Sequence, residues 1–373
     1  MALLPVLFAQ TPTEMYRLQT PTSIELSADG SELFYRLGKE WWEVETGLSQ
    51  RPKRLEKRET APLEKPSQVQ GTARLSSPRR SPDGKRLAYV DVEKPYGPLL
   101  LFCQCSGQEM NSKPLPLSRT PIIAFQWAQD SNSFWVIGVN GADEPIGRLD
   151  LNGHFEQITQ GAAMRRTGGL AAAGGIVAWV QSDGSHHGTI WVRDRAGKSR
   201  VIVDSNPAIA KWKLGTQEVV RWKNSHGEEL QGILAKPDGS ARWPLIVDPY
   251  SGWRNRFLHI PVLGNYAFVK AGYAVFFPDH RAPHTFPEMN FGEAYVGSSK
   301  DRDPVDVLVD DVMTGVDELV RSGVADPERL FLYSSSNGAS AINQLLSETR
   351  AFRAAVSHEA CRTGSAITRC VVH

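Results

Sequence analysis

The sequence has few of the features that would place a protein in a specialised class. Its 373 residues include only four cysteines, too few and too unevenly spaced for a disulfide scaffold. Lys and Arg number 42 and Asp and Glu number 41, so the charge gives no reason to expect nucleic acid or a membrane as a partner. No apolar run approaches the roughly 18 residues that a transmembrane helix requires. The remainder is ordinary for a soluble protein of one or two domains, 41% hydrophobic and 22% charged.

The cysteine spacing does not predict a metal site. Cys103 and Cys105 would face the same side of a strand, but no second Cys/His pair at ligand spacing accompanies them. Cys361 and Cys370 lie far away in the sequence. We therefore expect no metal there.

The first ten residues form a short apolar run with the small Ala9 near its end. The run is similar to the tail of a secretory signal peptide, although it lacks a basic start. An edge strand is the alternative interpretation. We interpret residues 1–20 as a possible signal-peptide remnant and lead-in, and expect a periplasmic or secreted protein, otherwise a cytoplasmic one.

A loose internal repeat runs through the first half of the chain. Residues 27–35 (SADGSELFY) recur as residues 81–89 (SPDGKRLAY), residues 127–136 are a weaker echo, and residues 175–180 lack the preceding turn. Asp-Gly supplies the positive φ that tight hairpin turns need. The repeat spacing is close to that of a propeller blade, about 40 to 50 residues. It predicts an all-β, propeller-like domain of about four blades over residues 21–204, with a β-sandwich as the alternative.

Residues 205–373 alternate between buried-strand and helix patterns, which predicts an α/β domain with a parallel sheet. The predicted strands include 244–247, 272–278, 330–333 and 354–356, and the predicted helices are 261–271, 306–321 and 339–347. Asp310, Asp311 and Asp317 are interpreted as the polar face of the second helix. Residues 361–373 show neither a helical nor a strand period.

A nucleophile motif stands near the end of this half. Residues 329–339 (RLFLYSSSNGA) read as an apolar strand, a turn of small residues and the start of a helix. A catalytic serine at a tight strand-to-helix turn needs this context, because small neighbours let the two chain segments pass closely. Ser336 is therefore the candidate nucleophile, and the alternative is a polar loop of three serines.

Five motifs resemble those of the prolyl oligopeptidase family of serine peptidases. They are residues 218–222 with the turn at Gly227, residues 277–282, 310–317, 325–330 and 336–338, in the family's order and spacing. The resemblance is strong over residues 215–358 and weak over residues 20–204. It implies an N-terminal β-propeller followed by an α/β-hydrolase domain, and peptidase activity without a cofactor.

The resemblance also implies roles for individual residues. The backbone N–H of Asn337, which follows the nucleophile, would donate to the oxyanion. Tyr250 stands at the position of a family tyrosine whose hydroxyl can be the second donor. Arg281 is expected to stabilise the loop at residues 280–284 by bonds to backbone carbonyls, with a metal or substrate contact as the alternative.

The sequence departs from the family pattern in two ways. The family usually has Gly where this chain has Ser334 and Ala339, although both residues are small. The segments that carry the family's acid and histidine are not found, so we expect the hydrolase domain to be truncated, as a frameshift or early stop would leave it. His358 is a weak candidate for the base, because it and Glu359 would point in opposite directions on an extended chain.

The expected function is that of a serine peptidase acting on short peptides, with an acyl-enzyme on Ser336 and a propeller that keeps folded proteins out. A carboxylesterase on the same scaffold is one alternative, since peptide and ester cleavage share this chemistry. A non-catalytic, propeller-containing binding protein or relic is the other. The oligomeric state cannot be predicted from the sequence.

Overall fold

A computed structural model describes most of the chain, as two compact units. The described residues are 17–47, 51–56, 58, 75–91, 99–103, 112–114, 122–138, 140, 142–165, 169–212, 214–250, 263–281, 302–360 and 367–372. One unit comprises Leu18–Ala210, and the other contains Lys211–His373. The possible signal segment at residues 1–10, together with Cys105, His284 and Cys361, lies outside the described residues.

The described strands of the first unit form four antiparallel sheets, each with four strands in chain order. The first sheet consists of β1 (Pro21–Leu26), β2 (Glu32–Leu37), β3 (Glu40–Glu45) and β4 (Lys53–Leu55), and the second of β5 (Leu75–Arg80), β6 (Arg86–Asp91), β7 (Leu99–Cys103) and β8 (Ser112–Pro114). The third consists of β9 (Ile122–Trp127), β10 (Ser133–Gly138), β11 (Ile146–Asp150) and β12 (Phe155–Gln157), and the fourth of β13 (Leu170–Ala173), β14 (Ile176–Gln181), β15 (Thr189–Arg193) and β16 (Ser199–Asp204). The repeat units read from the sequence therefore coincide with these sheets.

The Asp-Gly turns close the first hairpin of the first two sheets. Gly30 and Gly84 have φ of 76° and 72°, the left-handed region that glycine adopts without strain. The Asp29 carboxylate accepts hydrogen bonds from the Ser31 N–H at 3.0 Å and the Ser27 hydroxyl at 2.7 Å. These bonds, that of the Ser31 N–H foremost, lower the pKa of Asp29 to about 2. The aspartate thus organises the turn as much as the glycine does.

The third and fourth sheets close their first hairpin with other residues. In the third sheet Ser131 occupies the glycine position with φ of 55°, while Asp130 accepts from the Asn132 N–H at 2.9 Å. In the fourth sheet Gly174 and Gly175, with φ of 55° and 77°, form a two-residue turn between β13 and β14. The expectation that this copy lacks its turn was wrong, because a Gly-Gly pair replaces Asp-Gly there.

The first and fourth sheets pack tightly at these turns. A Cβ on Gly174 would lie 1.8 Å from the Asp29 carbonyl oxygen, so only glycine fits. Arg195 joins the two turns, donating to the Gly174 carbonyl at 2.6 Å and the Asp29 carbonyl at 2.9 Å. Behind the turns the two sheets share one apolar core, which includes Leu33 and Ile190.

Replacing Gly30 by Ala should destabilise the first unit more than replacing Gly84. Both substitutions put an L-residue at positive φ, which costs about 1–2 kcal/mol. Only at Gly30 would the new Cβ also meet another sheet, 2.6 Å from the Ala173 carbonyl oxygen and 2.8 Å from Ile176 Cγ1, which adds about 1–3 kcal/mol of overpacking. No described atom lies within 4 Å of the same point at Gly84. Urea denaturation of the full chain, followed by hydrogen exchange in β1 and β13, measures the difference, and equal midpoints would contradict the tight packing.

The described strands of the second unit form one seven-stranded sheet in the order β17-β18-β20-β19-β21-β22-β23. The strands are β17 (Thr216–Lys223), β18 (Glu229–Lys236), β19 (Trp243–Val247), β20 (Ala274–Pro278), β21 (Ala325–Ser335), β22 (Ala354–Ala360) and β23 (Ile367–Val372). The helices are α1 (Leu263–Lys270), α2 (Pro304–Arg321) and α3 (Ser336–Glu348), and a 3₁₀ turn covers Pro207–Lys211. The four strands β20, β19, β21 and β22 are parallel, and β17, β18 and β23 are antiparallel to their neighbours.

The helices cover both faces of this sheet. Leu330 and Leu332 of β21 share a core with α2 and α3, which includes Val312 and Leu345. The alternate residue Tyr333 instead stacks edge-on against Phe268 of α1, with ring centroids 5.1 Å apart. Successive residues of a strand face opposite sides, so both sides of β21 are buried. None of the helices in the described ranges combines the length and apolar character needed to cross a membrane.

Several predicted boundaries differ from the structure. β21 begins at Ala325 because Trp243 pairs with Ala325, and an irregularity follows before Leu245 pairs with Leu330. β22 continues to Ala360, so His358 lies within the strand rather than after it. Within the tail without a sequence period, residues 367–372 form β23, which pairs antiparallel with β22. Strand pairing supplied by a neighbour overrides a weak local pattern.

Candidate active site

The nucleophile motif forms a direct passage from strand to helix. β21 ends at Ser335 and α3 begins at Ser336, three residues before the predicted start at Ala339. Ser335 is the N-cap in extended conformation and makes no side-chain capping hydrogen bond. Asn337 is the second residue of α3, so its N–H is one of those that have no partner inside the helix. The side chains of Ser336 and Asn337 lie outside the described part of the structure.

Tyr250 lies beside this passage. A Cβ added to Gly338 would be 3.0 Å from Tyr250 Cα and 1.9 Å from Ser334 Oγ. The first turn of α3, the end of β21 and the segment after β19 therefore meet at Gly338. The structure thus brings the backbone of Tyr250 next to the turn that carries Ser336 and Asn337, and the roles of these three residues stay predictions.

Asp248 connects the two segments and was not singled out from the sequence. Its Oδ1 accepts a hydrogen bond from the Ser334 hydroxyl at 2.5 Å and from the Tyr250 N–H at 3.1 Å. The Asp248 N–H itself donates to the Phe276 carbonyl at 2.9 Å. A signal was available, because Asp248 directly follows the predicted strand at residues 244–247, at the carboxyl end where sites of parallel sheets form.

His280 holds the same segment from the other side. The residue is buried, and its Nε2 lies 3.2 Å from the Pro249 carbonyl oxygen. A carbonyl only accepts, so Nε2 is the protonated nitrogen and donates. The peptide between Pro249 and Tyr250 is therefore fixed by His280 and Asp248 together.

A buried ion pair supports the loop that carries His280. Asp311 is 0% exposed, and its carboxylate accepts from the Arg281 N–H at 2.9 Å and the Arg281 Nη2 at 2.9 Å. Arg281 Nη2 also donates to Glu228 at 2.7 Å, and Asn224 donates to Asp311 at 3.0 Å. One prediction was wrong here, because Asp311 is buried and not on a polar helix face. Arg281 bonds two carboxylates, and its bonds to backbone carbonyls of the loop at residues 280–284 stay a prediction. Asp317 is exposed, as predicted.

The network keeps the Arg281 guanidinium charged. Burial by itself would lower the pKa of Arg281, but the hydrogen bonds to Glu228 and Asp311 outweigh that effect and raise it above its usual value. A buried carboxylate such as Asp311 requires a compensating charge of this kind. The loop after β20 is therefore anchored to α2 and to the β17–β18 hairpin.

His358 lies next to the nucleophile strand but on an unfavourable face. It pairs in register with Ser335 and is exposed. The preceding Ser357 donates from its hydroxyl to the Ala339 carbonyl of α3 at 3.2 Å. Because neighbouring strand residues face opposite sides, His358 projects away from α3. The role of His358 stays a prediction.

Comparison with known proteins gives a family match for part of the chain. The family model described as the prolyl oligopeptidase family matches residues 263–363, which include α2, β21 and α3. Over these residues the chain is similar to the prolyl oligopeptidase family. The resemblance read from the sequence motifs is therefore confirmed, and the chain is related to peptidases.

A curated relative and solved structures agree with this family. A Bacillus subtilis (strain 168) protein named uncharacterized peptidase YuxL is 22% identical over 236 residues, which cover 62% of this chain and 35% of that protein. The acylaminoacyl peptidase of Pyrococcus horikoshii matches with a TM-score of 0.57 at 16% identity, covering 89% of this chain and 51% of that one. A puromycin-hydrolyzing peptidase of Mycobacterium tuberculosis matches with a TM-score of 0.54 at 17% identity, covering 92% and 62%. At such low identity these structures show similarity of fold. The chain spans 35% of the Bacillus protein, 51% of the Pyrococcus protein and 62% of the Mycobacterium protein.

Removing the buried carboxylate should destabilise the second unit strongly. Asp311→Ala removes one carboxylate from the buried Arg281, which keeps its bond to Glu228, and breaking such a pair costs about 3 kcal/mol or more. Asp317→Ala on the exposed face of the same helix is the matched control, with an expected change within about 0.5 kcal/mol. Thermal or urea unfolding of the full chain measures both. Similar losses in the two variants would show that the ion pair does not support the loop.

Proposed function

We propose that this chain is a serine peptidase of prolyl oligopeptidase type that cleaves short peptides through an acyl-enzyme on Ser336. The observation that carries the proposal is the crowding at Gly338, where Ser334, the Tyr250 backbone and the first turn of α3 meet. The backbone of Tyr250 thus lies next to the turn that carries Ser336 and Asn337, which supports the proposal. The family match over residues 263–363 supports the same reaction class.

The sheets support a two-domain interpretation of this peptidase. The first strands of adjacent sheets contact one another in the first unit, β5 with β9, β9 with β13 and β13 with β1. Four-stranded antiparallel meanders in this arrangement favour an irregular β-propeller over residues 21–204. In the second unit, a mostly parallel sheet whose chain passes from β21 straight into α3 favours an α/β-hydrolase domain over residues 205–373. We propose that the propeller restricts the substrates to short peptides.

The proposed chemistry is acyl transfer. The Ser336 hydroxyl attacks the scissile carbonyl carbon while a general base takes its proton, and the base then protonates the leaving amine. Water hydrolyses the acyl-enzyme in the same way. The developing oxyanion would accept hydrogen bonds from the Asn337 N–H and the Tyr250 hydroxyl. Because His358 projects away from α3, we propose that His358 is not the base.

A fluorophosphonate probe tests this function. We expect it to label the full chain at Ser336, because phosphonylation needs an activated serine, and Ser336→Ala should abolish the label. Tyr250→Phe should lower the labelling rate by about a hundredfold, the usual effect of losing one oxyanion donor. Mass spectrometry of labelled peptides identifies the site and time courses give the rates.

His358→Gln should label at the parental rate, and a loss of labelling in this variant would restore His358 as the base. An unlabelled parent chain would contradict the proposal and favour a non-catalytic protein. If labelling succeeds, turnover of matched peptide and ester substrates distinguishes a peptidase from a carboxylesterase.

A further inference from the structure

Ser334 stands where the resembling family usually has glycine, and its side chain makes a buried hydrogen bond. The residue is only 2% exposed. Its hydroxyl donates to Asp248 Oδ1 at 2.5 Å, across 86 positions of sequence. A hydrogen bond to a carboxylate is stronger than one between neutral groups. Glycine at this position would have no hydroxyl with which to make this contact.

Asp248, which accepts this bond, also bonds the backbone of Tyr250, the candidate oxyanion donor. The same Asp248 Oδ1 accepts the Tyr250 N–H at 3.1 Å, so one oxygen atom joins the nucleophile strand to the backbone of Tyr250. His280 fixes the intervening Pro249 carbonyl at 3.2 Å from the opposite side. Two described contacts therefore anchor the Tyr250 backbone, and one of them shares its acceptor oxygen with Ser334.

The space around Gly338 makes this arrangement rigid. A Cβ there would lie 2.8 Å from Ser334 Cβ and 3.0 Å from Tyr250 Cα, so both neighbours are packed against the first turn of α3. A displacement of Ser334 from Asp248 would be passed directly to Tyr250. Small errors in the position of a catalytic group reduce rates considerably.

We infer that Ser334 is a positioning residue that, through Asp248, sets the place of the Tyr250 hydroxyl relative to Ser336. The inference rests on the proposed function for its effect on rate, but the contact itself is independent of activity. Ser334 and Asp248 do not touch the reacting atoms in this scheme. Their effect is on transition-state stabilisation through Tyr250.

The experiment compares Ser334→Ala, Asp248→Ala and Asp248→Asn in the full chain, with Ser335→Ala as the matched control. Ser335 is exposed and makes no side-chain capping bond. Two measurements are made on each variant: the rate of fluorophosphonate labelling at Ser336, and the ¹⁹F NMR resonance of 3-fluorotyrosine at position 250, assigned with Tyr250→Phe. A melting curve verifies that each variant is folded.

We expect Ser334→Ala and Asp248→Ala to slow labelling by about tenfold or more and to shift the Tyr250 resonance. Asp248→Asn keeps an oxygen acceptor for both donors and should retain the parental rate and resonance. Ser335→Ala should match the parent in both measurements. A folded Ser334→Ala variant that labels at the parental rate overturns the inference.

The two readouts separate this inference from the proposed function. If the parent chain is not labelled, the proposed function fails and the fluorine resonance alone decides about Ser334. A resonance that shifts in Ser334→Ala and Asp248→Ala but not in Asp248→Asn supports the positioning role. An unchanged resonance in Ser334→Ala overturns it.

Discussion

The buried carboxylate of Asp311 is the constraint on which the second unit depends. It is fully buried, and its oxygens accept from the backbone and side chain of Arg281 and from Asn224. An uncompensated charge in such a place is costly, so these elements must assemble together. The same contacts fix the loop after β20, whose His280 reaches Pro249 beside the candidate site. The Arg281–Asp311 ion pair therefore supports both the folding of the second unit and the position of the loop beside the candidate site.

Regular elements with a strong local pattern could be predicted from the sequence. The helical period from residue 306 leads to α2, which begins at Pro304 behind an Asp303 cap and buries Val312 and Val316. The strand and the helix on either side of the candidate Ser336 were also predicted, since small residues between two periodic segments leave few other structures. Their ends were not, because strand length depends on pairing with a neighbour, as in the irregular junction of β19 and β21.

The polar contacts could not be predicted for a different reason. Asp311 and Arg281 are 30 residues apart, and Ser334 and Asp248 are 86 apart. Local spacing says that a charged residue on a helix is usually solvated, and this holds for Asp317 but fails for Asp311. Whether a charged side chain is buried depends on its hydrogen-bonding partner. That partner is known only once the sheet order brings the strand ends together. The repeat turns differ in this respect, because Asp29 and Asp130 bond to residues two positions away.

Positions 334 and 338 differ in what the packing around them allows. A Cβ on Gly338 would lie 1.9 Å from Ser334 Oγ and 3.0 Å from Tyr250 Cα, so glycine fits there and a larger residue does not. At position 334 a serine side chain fits, because its hydroxyl donates a hydrogen bond to Asp248. The polar group is therefore satisfied although it is buried. The serine thus fills space that Gly338 leaves open. Position 338 requires glycine because the serine at 334 occupies the adjacent space, and position 334 accepts serine because Gly338 has no Cβ. Each residue therefore depends on the other.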